Sequence, residues 1–493
     1  MNKSNPLVVD LDGSLIHTDL TFESIFLFLK GYPQQVFSLF FWFLKGRAYF
    51  KRQLAQRISM RVDLLPYNQD VLAYLKEQKR KGRSLILATG SDILLAQEVA
   101  RYLDLFDDVI ASDGKINMRS HTKAQKLISL FGEKNFGYVG NSRHDLPVWN
   151  KAADVIAVNP PTWVLRKLEK TSPPLIEFKT KASLRENIIR SLRPHQLVKN
   201  LLVFLPLLSS HQVTNTSLIL NTVIAFFAFS LSSSAIYLLN DLFDLDADRS
   251  HPIKSLRPLA RGVLPIPIAF VVSLSLLSAA GLLSLFFLPL GVFMCLIAYI
   301  GTTTLYSLFL KQYALIDVIT LASLYVLRVI VGYEATGLAY SNWLLALSLF
   351  FFLSLAFMKR YVELRTSITR PKAQNKLPGR GYSQEDEGMI AIFGIVNSYL
   401  TVLVLALYIE SPIVPSLYPN AWVLWFLCPL FIYFFSRLWL VAHRGGMSYD
   451  PVLHILKDKS AHLIVFLAVG VVLAASLDLE GALRFFHTGT TFR

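Results

Sequence analysis

The chain has 493 residues, of which 53% are hydrophobic and 17% are charged, and its formal net charge is +15. It is too long for one ordinary domain, and its apolar content excludes a purely soluble protein and indicates a polytopic membrane protein with a soluble part. Most basic residues lie in short loops beside apolar runs, so no nucleic-acid partner is expected. Both cysteines lie inside apolar runs, so neither a disulfide nor a metal-binding cysteine pair is expected.

The first 170 residues contain four polar motifs, and three of them directly follow short apolar runs typical of buried strands. The polar residues are Asp10 and Asp12, then Thr89, then Lys123 with Lys126 as its alternative, then Asn141 with Asp145. Two acids one residue apart in a tight turn suit a nucleophile and an acid–base group. A hydroxyl at the end of a later apolar run and a lysine further along the chain suit the binding of a transferring phosphoryl group.

This order of motifs resembles the haloacid dehalogenase (HAD) superfamily of phosphatases. The resemblance implies an α/β Rossmann-like domain over residues 1–170, in which Asp10 attacks phosphorus and Asp12 protonates the leaving oxygen. Asp10, the carbonyl group of Asp12 and the last motif would hold Mg²⁺. The superfamily usually has an acid at the position of Asn141, whose amide can ligate Mg²⁺ but lacks the charge. A catalytically dead scaffold domain is therefore the alternative.

Residues 20–80 lie between the first two motifs, where this superfamily inserts a helical cap. The run 36–44 is aromatic and apolar, but it is too short to span a bilayer. Two interpretations stay open: a pair of cap helices that rests on the membrane surface, or a cap core that faces its own domain. Residues 171–185 contain two adjacent prolines and polar neighbours, which are typical of a linker.

Nine apolar segments, each near the ~20 residues that a spanning helix needs, predict an all-α polytopic membrane domain over residues 186–482. They are 192–209, 217–239, 266–287, 289–310, 313–333, 342–361, 388–409, 421–441 and 461–478. Basic loops alternate with loops that lack lysine and arginine. By the positive-inside rule, the N-terminal domain and the basic loops are cytoplasmic, and the C-terminus lies outside a bacterial-type inner membrane.

The basic loop after the second segment opens with Asn240 and three acids, Asp241, Asp244 and Asp248, which are spaced i, i+3, i+7. On a helix this spacing places all three carboxylates on one face, where their repulsion favours a bound cation. Mg²⁺ that bridges a substrate phosphate fits these oxygen ligands. The alternative is a solvated acidic helix end just outside the membrane.

The stretch 240–262 resembles the first acidic motif of the UbiA prenyltransferase superfamily, which implies nine transmembrane helices around a cavity open to the cytoplasm and to lipid. The second motif of that superfamily is reduced, because Leu321 stands where a second acid is usual. The residues that fit the second motif are Tyr306, Lys311, Asp317 and Arg328. Metal binding by Asp317 is thus less well supported, and cations there would contact phosphate directly.

Stretches 192–200, 358–364 and 379–382 resemble the decaprenyl-phosphate phosphoribosyltransferase branch, which joins phosphoribosyl pyrophosphate to a polyprenyl phosphate. Such substrates need cations for phosphate and a lipid-facing groove for the prenyl tail. The candidate substrate-binding residues of the membrane half are Lys199, Asn240, Arg249, Lys254, Arg257, Tyr306, Lys311, Arg328, Lys359 and Arg360. Any one of these cations taken alone is typical of an ordinary membrane-interface anchor.

The resulting hypothesis is a transferase in which diphosphate leaves carbon 1 of ribose with Mg²⁺ on Asp241 and Asp244, and Asp248 and Asp317 are further candidate ligands. The fused HAD-like domain would then remove the 5-phosphate. The alternatives are an aromatic prenyltransferase that uses a polyprenyl diphosphate, and a transporter or scaffold with a dead phosphatase domain. The sequence leaves the prenyl length and the oligomeric state open.

Overall fold

The computed structural model describes residues 5–171, 175–179, 183–368, 380–447 and 450–477. Parts of the predicted linker at 171–185, position 379 and the C-terminal end from 478 onward lie outside these described residues. The chain forms two compact units. The first unit comprises Met1–Pro194 with Tyr237–Leu276, and the second comprises His195–Ile236 with Leu277–Arg493.

A six-stranded parallel sheet forms the centre of the first unit, in the order β3-β2-β1-β4-β5-β6. The strands are β1 (Leu7–Val9), β2 (Leu85–Asp92), β3 (Asp108–Ser112), β4 (Gly137–Gly140), β5 (Asp154–Val158) and β6 (Leu175–Phe178). Residues of β1 are fully buried because apolar clusters cover both faces of the sheet. The strand order reverses between β1 and β4, and in such sheets the site lies at this switch point. The predicted Rossmann-like architecture is confirmed.

Nine helices precede the membrane half. They are α1 (Leu20–Gly31), α2 (Val36–Leu44), α3 (Arg47–Ala55), α4 (Gln69–Arg80), α5 (Ile93–Leu103), α6 (His121–Phe131), α7 (Leu146–Trp149), α8 (Thr162–Thr171) and α9 (Leu184–Leu192). Side-chain caps start several of them: Asp19 accepts from the Thr21 amide at α1, and Asn68 accepts from the first turn of α4. Helix α4 packs on the sheet core, so α1, α2 and α3 are the helices inserted above it.

The membrane half is entirely helical over its described residues. Its helices are α10 (Leu205–Ser209), α11 (Thr216–Phe243), α12 (Leu245–Arg249), α13 (Ile266–Phe287), α14 (Leu290–Leu308), α15 (Ile316–Thr336), α16 (Asn342–Ile368), α17 (Glu387–Ile409), α18 (Val414–Leu417), α19 (Leu427–His443), α20 (Pro451–Ile455) and α21 (Lys459–Ser476). Within the described ranges, eight helical segments are long and apolar enough to cross a membrane. The prediction of a polytopic helical domain is confirmed.

The ninth predicted span, 192–209, is not confirmed. Helix α9 ends at Leu192, Arg193 adopts a left-handed φ of 52°, and a 3₁₀ helix follows over Pro194–Phe204 before the short α10. A left-handed residue terminates an α-helix, and a proline after it cannot donate a backbone hydrogen bond. Apolar content alone therefore overstated the regularity of this segment.

Candidate active sites

The first candidate site lies at the carboxyl edge of the sheet, where β1 delivers Asp10. The Lys123 ammonium donates to Asp10 Oδ1 at 2.6 Å and to the Tyr138 hydroxyl at 2.9 Å. Tyr138 in turn donates to Asp145 Oδ1 at 2.7 Å. All four side chains are buried. The alternative lysine, Lys126, is exposed, so the structure places Lys123 at this site.

Asp12 is held on three sides by donors. Its Oδ2 accepts from Ser91 Oγ at 2.6 Å and from Thr89 Oγ1 at 3.2 Å, and its Oδ1 accepts from the Leu20 amide at 2.8 Å. Burial raises the pKa of Asp12 to about 6, assisted by the charge of Asp19. A carboxyl group that titrates near neutrality suits proton donation to a leaving oxygen.

Burial also raises the pKa of Asp10 to about 7, against the opposing charge of Lys123. A nucleophilic carboxylate must be ionised, so this site gains from an additional cation.

The last motif packs directly against the turn that carries Asp10 and Asp12. Gly13 has a φ of +74°, and a Cβ there would lie 2.0 Å from Asn141 Nδ2, so only glycine fits. Asp145 Oδ2 accepts from the amides of Asn141 and Ser142 at 3.1 and 3.0 Å. Asp10, the Asp12 carbonyl and Asn141 thus offer oxygen donors of the kind that Mg²⁺ prefers, although Asn141 lacks a charge. Asp145 mainly orders the loop.

Over these residues lies a cavity of about 480 Å³ with two chemically different walls. The polar wall adds three cations, Arg47, Lys51 and Arg119, to the motif residues. The apolar wall comes from α1, α2 and α3 and consists of Phe22, Ile25, Phe43 and Phe50. Such a cavity suits a phosphate group that is attached to a larger, partly apolar molecule.

The acidic stretch Asp241–Asp248 is also part of the first unit, but it does not form one helix. Helix α11 ends at Phe243, and Asp244 is the N-cap of α12. Arg257 joins the other two acids, with its Nη1 3.0 Å from Asp241 Oδ1 and 2.5 Å from Asp248 Oδ2. Asp244 instead contacts Lys30 of α1 at 2.9 Å. The helix break therefore separates Asp244 from the face that the spacing predicted.

Arginine compensates the charge of this motif. Arg193 Nη2 lies 2.5 and 2.7 Å from the two oxygens of the buried Asp241, and its guanidinium stacks on the Tyr237 ring. Burial raises the pKa of Asp248, against the charge of Arg257. Buried carboxylates need such counter-charges. A diphosphate with its metal ion could replace these ion pairs, because the metal would contact the carboxylates and the diphosphate would contact the arginines.

Arg249 is committed to a structural ion pair. It donates from both terminal nitrogens to the Glu23 carboxylate, at 2.9 and 2.6 Å, and from Nε to the Ala260 carbonyl at 3.0 Å. Both charged side chains are buried. This geometry favours an anchoring role over the predicted substrate contact. Lys254 is exposed in the loop that follows, and Asn240 is half-buried in the last turn of α11.

In the second unit, the buried Asp317 sits among cations and hydroxyls. Arg360 bonds to Asp317 and to Glu363, and it donates to the Tyr306 hydroxyl at 3.0 Å. Arg380 donates to the same hydroxyl at 2.7 Å. The structure therefore brings the predicted Tyr306, Asp317 and Arg360 together. Because Asp317 is already engaged by guanidinium groups, it fits an organiser of arginines better than a metal ligand.

Lysines extend this network. Lys199 Nζ lies 2.6 Å from Asp450 Oδ2, and Lys359 interacts electrostatically with both Asp450 and Glu363. Arg328 has a different environment: it is buried, donates to Asn200 Oδ1 at 2.8 Å and stacks on two tyrosine rings. Lys311 lies half-buried in the 3₁₀ turn Leu310–Gln312. Lys199 and Lys359 are thus better placed for phosphate than Arg328, whose partners are internal.

Residues 201–448, half of the chain, match the UbiA prenyltransferase family. This region contains the acidic stretch and the Asp317 network. The chain belongs to the UbiA prenyltransferase family. Its several apolar helices and this membership make it an integral membrane protein of an enzyme family.

Relatives of this UbiA-family protein include one that matches both units. The uncharacterized protein y4nM of Sinorhizobium fredii is 33% identical over 466 residues, which is 93% of this chain and 89% of that protein. The decaprenyl-phosphate phosphoribosyltransferase of Corynebacterium glutamicum is 33% identical over 226 residues, 45% of this chain and 66% of that protein. A HAD family hydrolase from Salmonella enterica is a structural neighbour with 18% identity and a TM-score of 0.27, covering 35% of this chain and 68% of its own.

Several residues of this UbiA-family protein were not predicted as site residues. Tyr138 occupies an apolar strand, where a single tyrosine carries no signal. Arg193 and Asp450 belong to the two charge networks, yet each lies far along the chain from its partner. The only sequence signal for Arg193 was the stretch 192–200, which resembles the phosphoribosyltransferase branch.

Proposed function

We propose that this protein transfers a 5-phosphoribosyl group from phosphoribosyl pyrophosphate to a polyprenyl phosphate at the cytoplasmic face of a bacterial-type inner membrane. The proposal rests on the residues found at the second UbiA motif, which contains Asp317. Leu321 replaces an acid, and Asp317 holds Arg360 and Arg380. A guanidinium-rich second motif suits direct contacts to phosphate groups. The relationship to decaprenyl-phosphate phosphoribosyltransferases agrees with this substrate class.

In the proposed reaction, Asp241 and Asp248 would hold Mg²⁺, which would neutralise the leaving diphosphate. Asp244 would join them as a further ligand once it leaves Lys30. Arg193 and Arg257 would shift from these carboxylates to the diphosphate oxygens. Lys199 and Lys359 would bind phosphate, and the fully buried Arg360 would order Asp317 and Tyr306. The residues position two anionic substrates and stabilise developing negative charge.

The cavity over Asp10 and Asp12, called the HAD-like cleft from here on, is proposed to remove the 5-phosphate from the transferred ribose. Asp10 would attack phosphorus, and Asp12 would protonate the departing 5-oxygen. Lys123 would neutralise charge on the phosphoaspartate, and Thr89 would bind a phosphoryl oxygen. This first step frees the polyprenyl-phosphoryl ribose. Water would then hydrolyse the phosphoaspartate, which regenerates Asp10 and releases inorganic phosphate.

The transferase proposal is tested with Asp241→Asn in reconstituted membranes. We expect this variant to lose nearly all transfer from labelled phosphoribosyl pyrophosphate to polyprenyl phosphate. The matched control is Asp246→Asn, an acid of the same stretch without a proposed ligand role, and it should keep wild-type turnover. A folded Asp241→Asn protein with normal turnover would contradict the ligand assignment.

The second candidate function is an aromatic prenyltransferase with a polyprenyl diphosphate donor, which membership of the UbiA prenyltransferase family favours. A donor comparison separates the two functions. Labelled phosphoribosyl pyrophosphate should label the lipid product, whereas a labelled polyprenyl diphosphate with an aromatic acceptor should give none. The opposite pattern would replace the first proposal by the second.

A further inference from the structure

Helix α2 is almost entirely apolar, and one of its faces is exposed. None of its nine residues is buried, and all but one of them are hydrophobic. The exposed fractions of Phe37, Phe40 and Phe41 are 75, 63 and 61%. An exposed aromatic surface of this density marks an interaction site. The interpretation as a core that faces its own domain holds for Leu39 and Trp42, which pack on the cluster of Phe28, Phe50 and Leu54, and the exposed phenylalanines form the opposite face.

Contacts within the first unit place α1, the helix before α2, beside the ends of α11 and α13. Lys30, at the end of α1, donates to the carbonyl of Phe243, the last residue of α11, at 2.9 Å. The Phe26 ring packs against Phe243 and Phe270 of α13 with centroid distances of 5.4 and 6.1 Å. Val36 follows Lys30 by six residues, which span at most roughly 21 Å. The start of α2 therefore lies within roughly 21 Å of the residue that bonds to the end of α11.

The charges around α2 match a membrane surface. Lys45 and Arg47 are exposed at its C-terminal end, and the Arg57 guanidinium lies 4.7 Å from the centre of the Trp42 ring. An apolar aromatic helix flanked by cations is the composition of segments that lie in the headgroup region. Cations beside it attract anionic lipids.

We propose that α2 inserts its aromatic face into the bilayer and that the HAD-like cleft acts on phosphomonoesters carried by lipids. The apolar wall of the cleft connects these two features, because Phe43 belongs to α2 and also lines the cavity. Its ring packs edge-on against Phe50 at 6.0 Å. A lipid-linked phosphate could therefore pass from the membrane along α2 to Asp10. The substrate class rests on the proposed phosphatase activity, whereas the insertion of α2 does not.

Spin labels on the full-length protein test the insertion. In a background with Cys295→Ser and Cys428→Ser, Phe40→Cys is labelled in nanodiscs of phosphatidylcholine and phosphatidylglycerol. The matched control is Tyr102→Cys, which replaces an exposed aromatic residue on α5 of the same unit. We expect the label at position 40 to be accessible to oxygen and protected from an aqueous nickel chelate, and the control label to show the reverse. Equal access of the nickel chelate to both labels would overturn the insertion.

The triple variant F37S/F40S/F41S tests the substrate class. Its hydrolysis of soluble para-nitrophenyl phosphate should equal that of the wild type, since none of the three residues lines the cavity. Its hydrolysis of the phosphoribosylated polyprenyl lipid in nanodiscs should fall about tenfold. Equal effects on both substrates would overturn the lipid assignment. A wild-type protein inactive on both would refute the phosphatase itself, and the spin labels would still decide where α2 lies.

Discussion

Tyr138 connects Lys123, the partner of Asp10, to Asp145 in the loop of the last motif. Its hydroxyl accepts from Lys123 and donates to Asp145. We expect Tyr138→Phe to fold, because the ring still fills its buried position, and to lower the turnover of phosphate hydrolysis about tenfold, which corresponds to one hydrogen bond. The measurement is kcat with para-nitrophenyl phosphate. Tyr67→Phe is the control, since it removes a hydroxyl bonded to the Val62 carbonyl outside the site. A normal kcat in Tyr138→Phe would exclude this positioning role.

Asp12 gives the proposed phosphatase reaction a predictable pH dependence. Since the pKa of Asp12 is raised to about 6, the acid form that donates a proton is lost as the pH rises through this value. With an alkyl phosphate and saturating Mg²⁺, a cation that would keep Asp10 ionised, kcat/KM should therefore decline on the alkaline side of this pH. The hydrogen bond from Ser91 stabilises the ionised form, so Ser91→Ala should move the decline to higher pH. Ser129→Ala, at an exposed serine of α6, should not move it. A decline at the same pH in all three proteins would contradict the assignment of Asp12.

These residue-level features divide into those that the sequence predicts and those that it does not. The structure brings Asp10, Asp12 and Asn141 together, because Asp10 and Asn141 directly follow apolar strands, Asp12 comes two residues after Asp10, and strand ends of a parallel sheet meet at one edge. Arg249 was assigned to substrate because it lies in the acidic motif. Its actual partner, Glu23, lies 226 positions earlier in the chain, and local spacing contains no information about such a pairing.

Helix α1 is the element that serves both candidate sites of the first unit. Its N-terminal end is bonded to Asp12, and Phe22 and Ile25 line the cleft. From the same helix, Glu23 and Lys30 bond to the acidic stretch. A change at one site that displaces α1 would therefore also move the residues that α1 contacts at the other site.

This role of α1 predicts the effect of Glu23→Gln. The substitution leaves the buried guanidinium of Arg249 without its counter-charge, which costs about 3–5 kcal/mol. Amides of α1 and α12 should then exchange with solvent much faster in the full-length protein, as measured by hydrogen exchange with mass spectrometry. Glu98→Gln, at an exposed acid of α5, should leave this exchange unchanged. Unaltered protection of α12 in Glu23→Gln would show that the ion pair does not hold the two helices together.

The lengths of the apolar runs predicted the elements of the membrane half better than their ends. Eight predicted spans appear because their long apolar runs dominate any local preference. The face shared by Asp241, Asp244 and Asp248 was predicted from spacing that assumes an unbroken helix. The backbone at Asp244 leaves the helical region, with φ −108° and ψ 20°, and this break has no sequence signal such as glycine or proline.

At the scale of the whole molecule, the proposed combination of a transferase and a phosphatase in one chain suggests an order of reactions. The proposed transfer yields a lipid whose ribose still carries a 5-phosphate, and the HAD-like cleft is suited to a phosphate on a partly apolar molecule. The relative from Sinorhizobium fredii matches across both units, so the fused arrangement is not confined to this chain. Joining the two steps would limit the escape of the phosphorylated intermediate.

The coupled scheme is tested by the fate of the 5-phosphate. Wild-type protein given phosphoribosyl pyrophosphate and polyprenyl phosphate should release inorganic phosphate in addition to diphosphate and accumulate the dephosphorylated lipid. Asp10→Asn lacks the nucleophile, so it should perform the transfer at the wild-type rate and accumulate the 5-phosphorylated lipid instead. Asp104→Asn, at an exposed left-handed position where asparagine fits, should behave as wild type. Mass spectrometry of the lipid products distinguishes the two compounds. If the wild type retains the 5-phosphate and Asp10→Asn changes nothing, the cleft does not act on this intermediate, although the transferase assignment would stand.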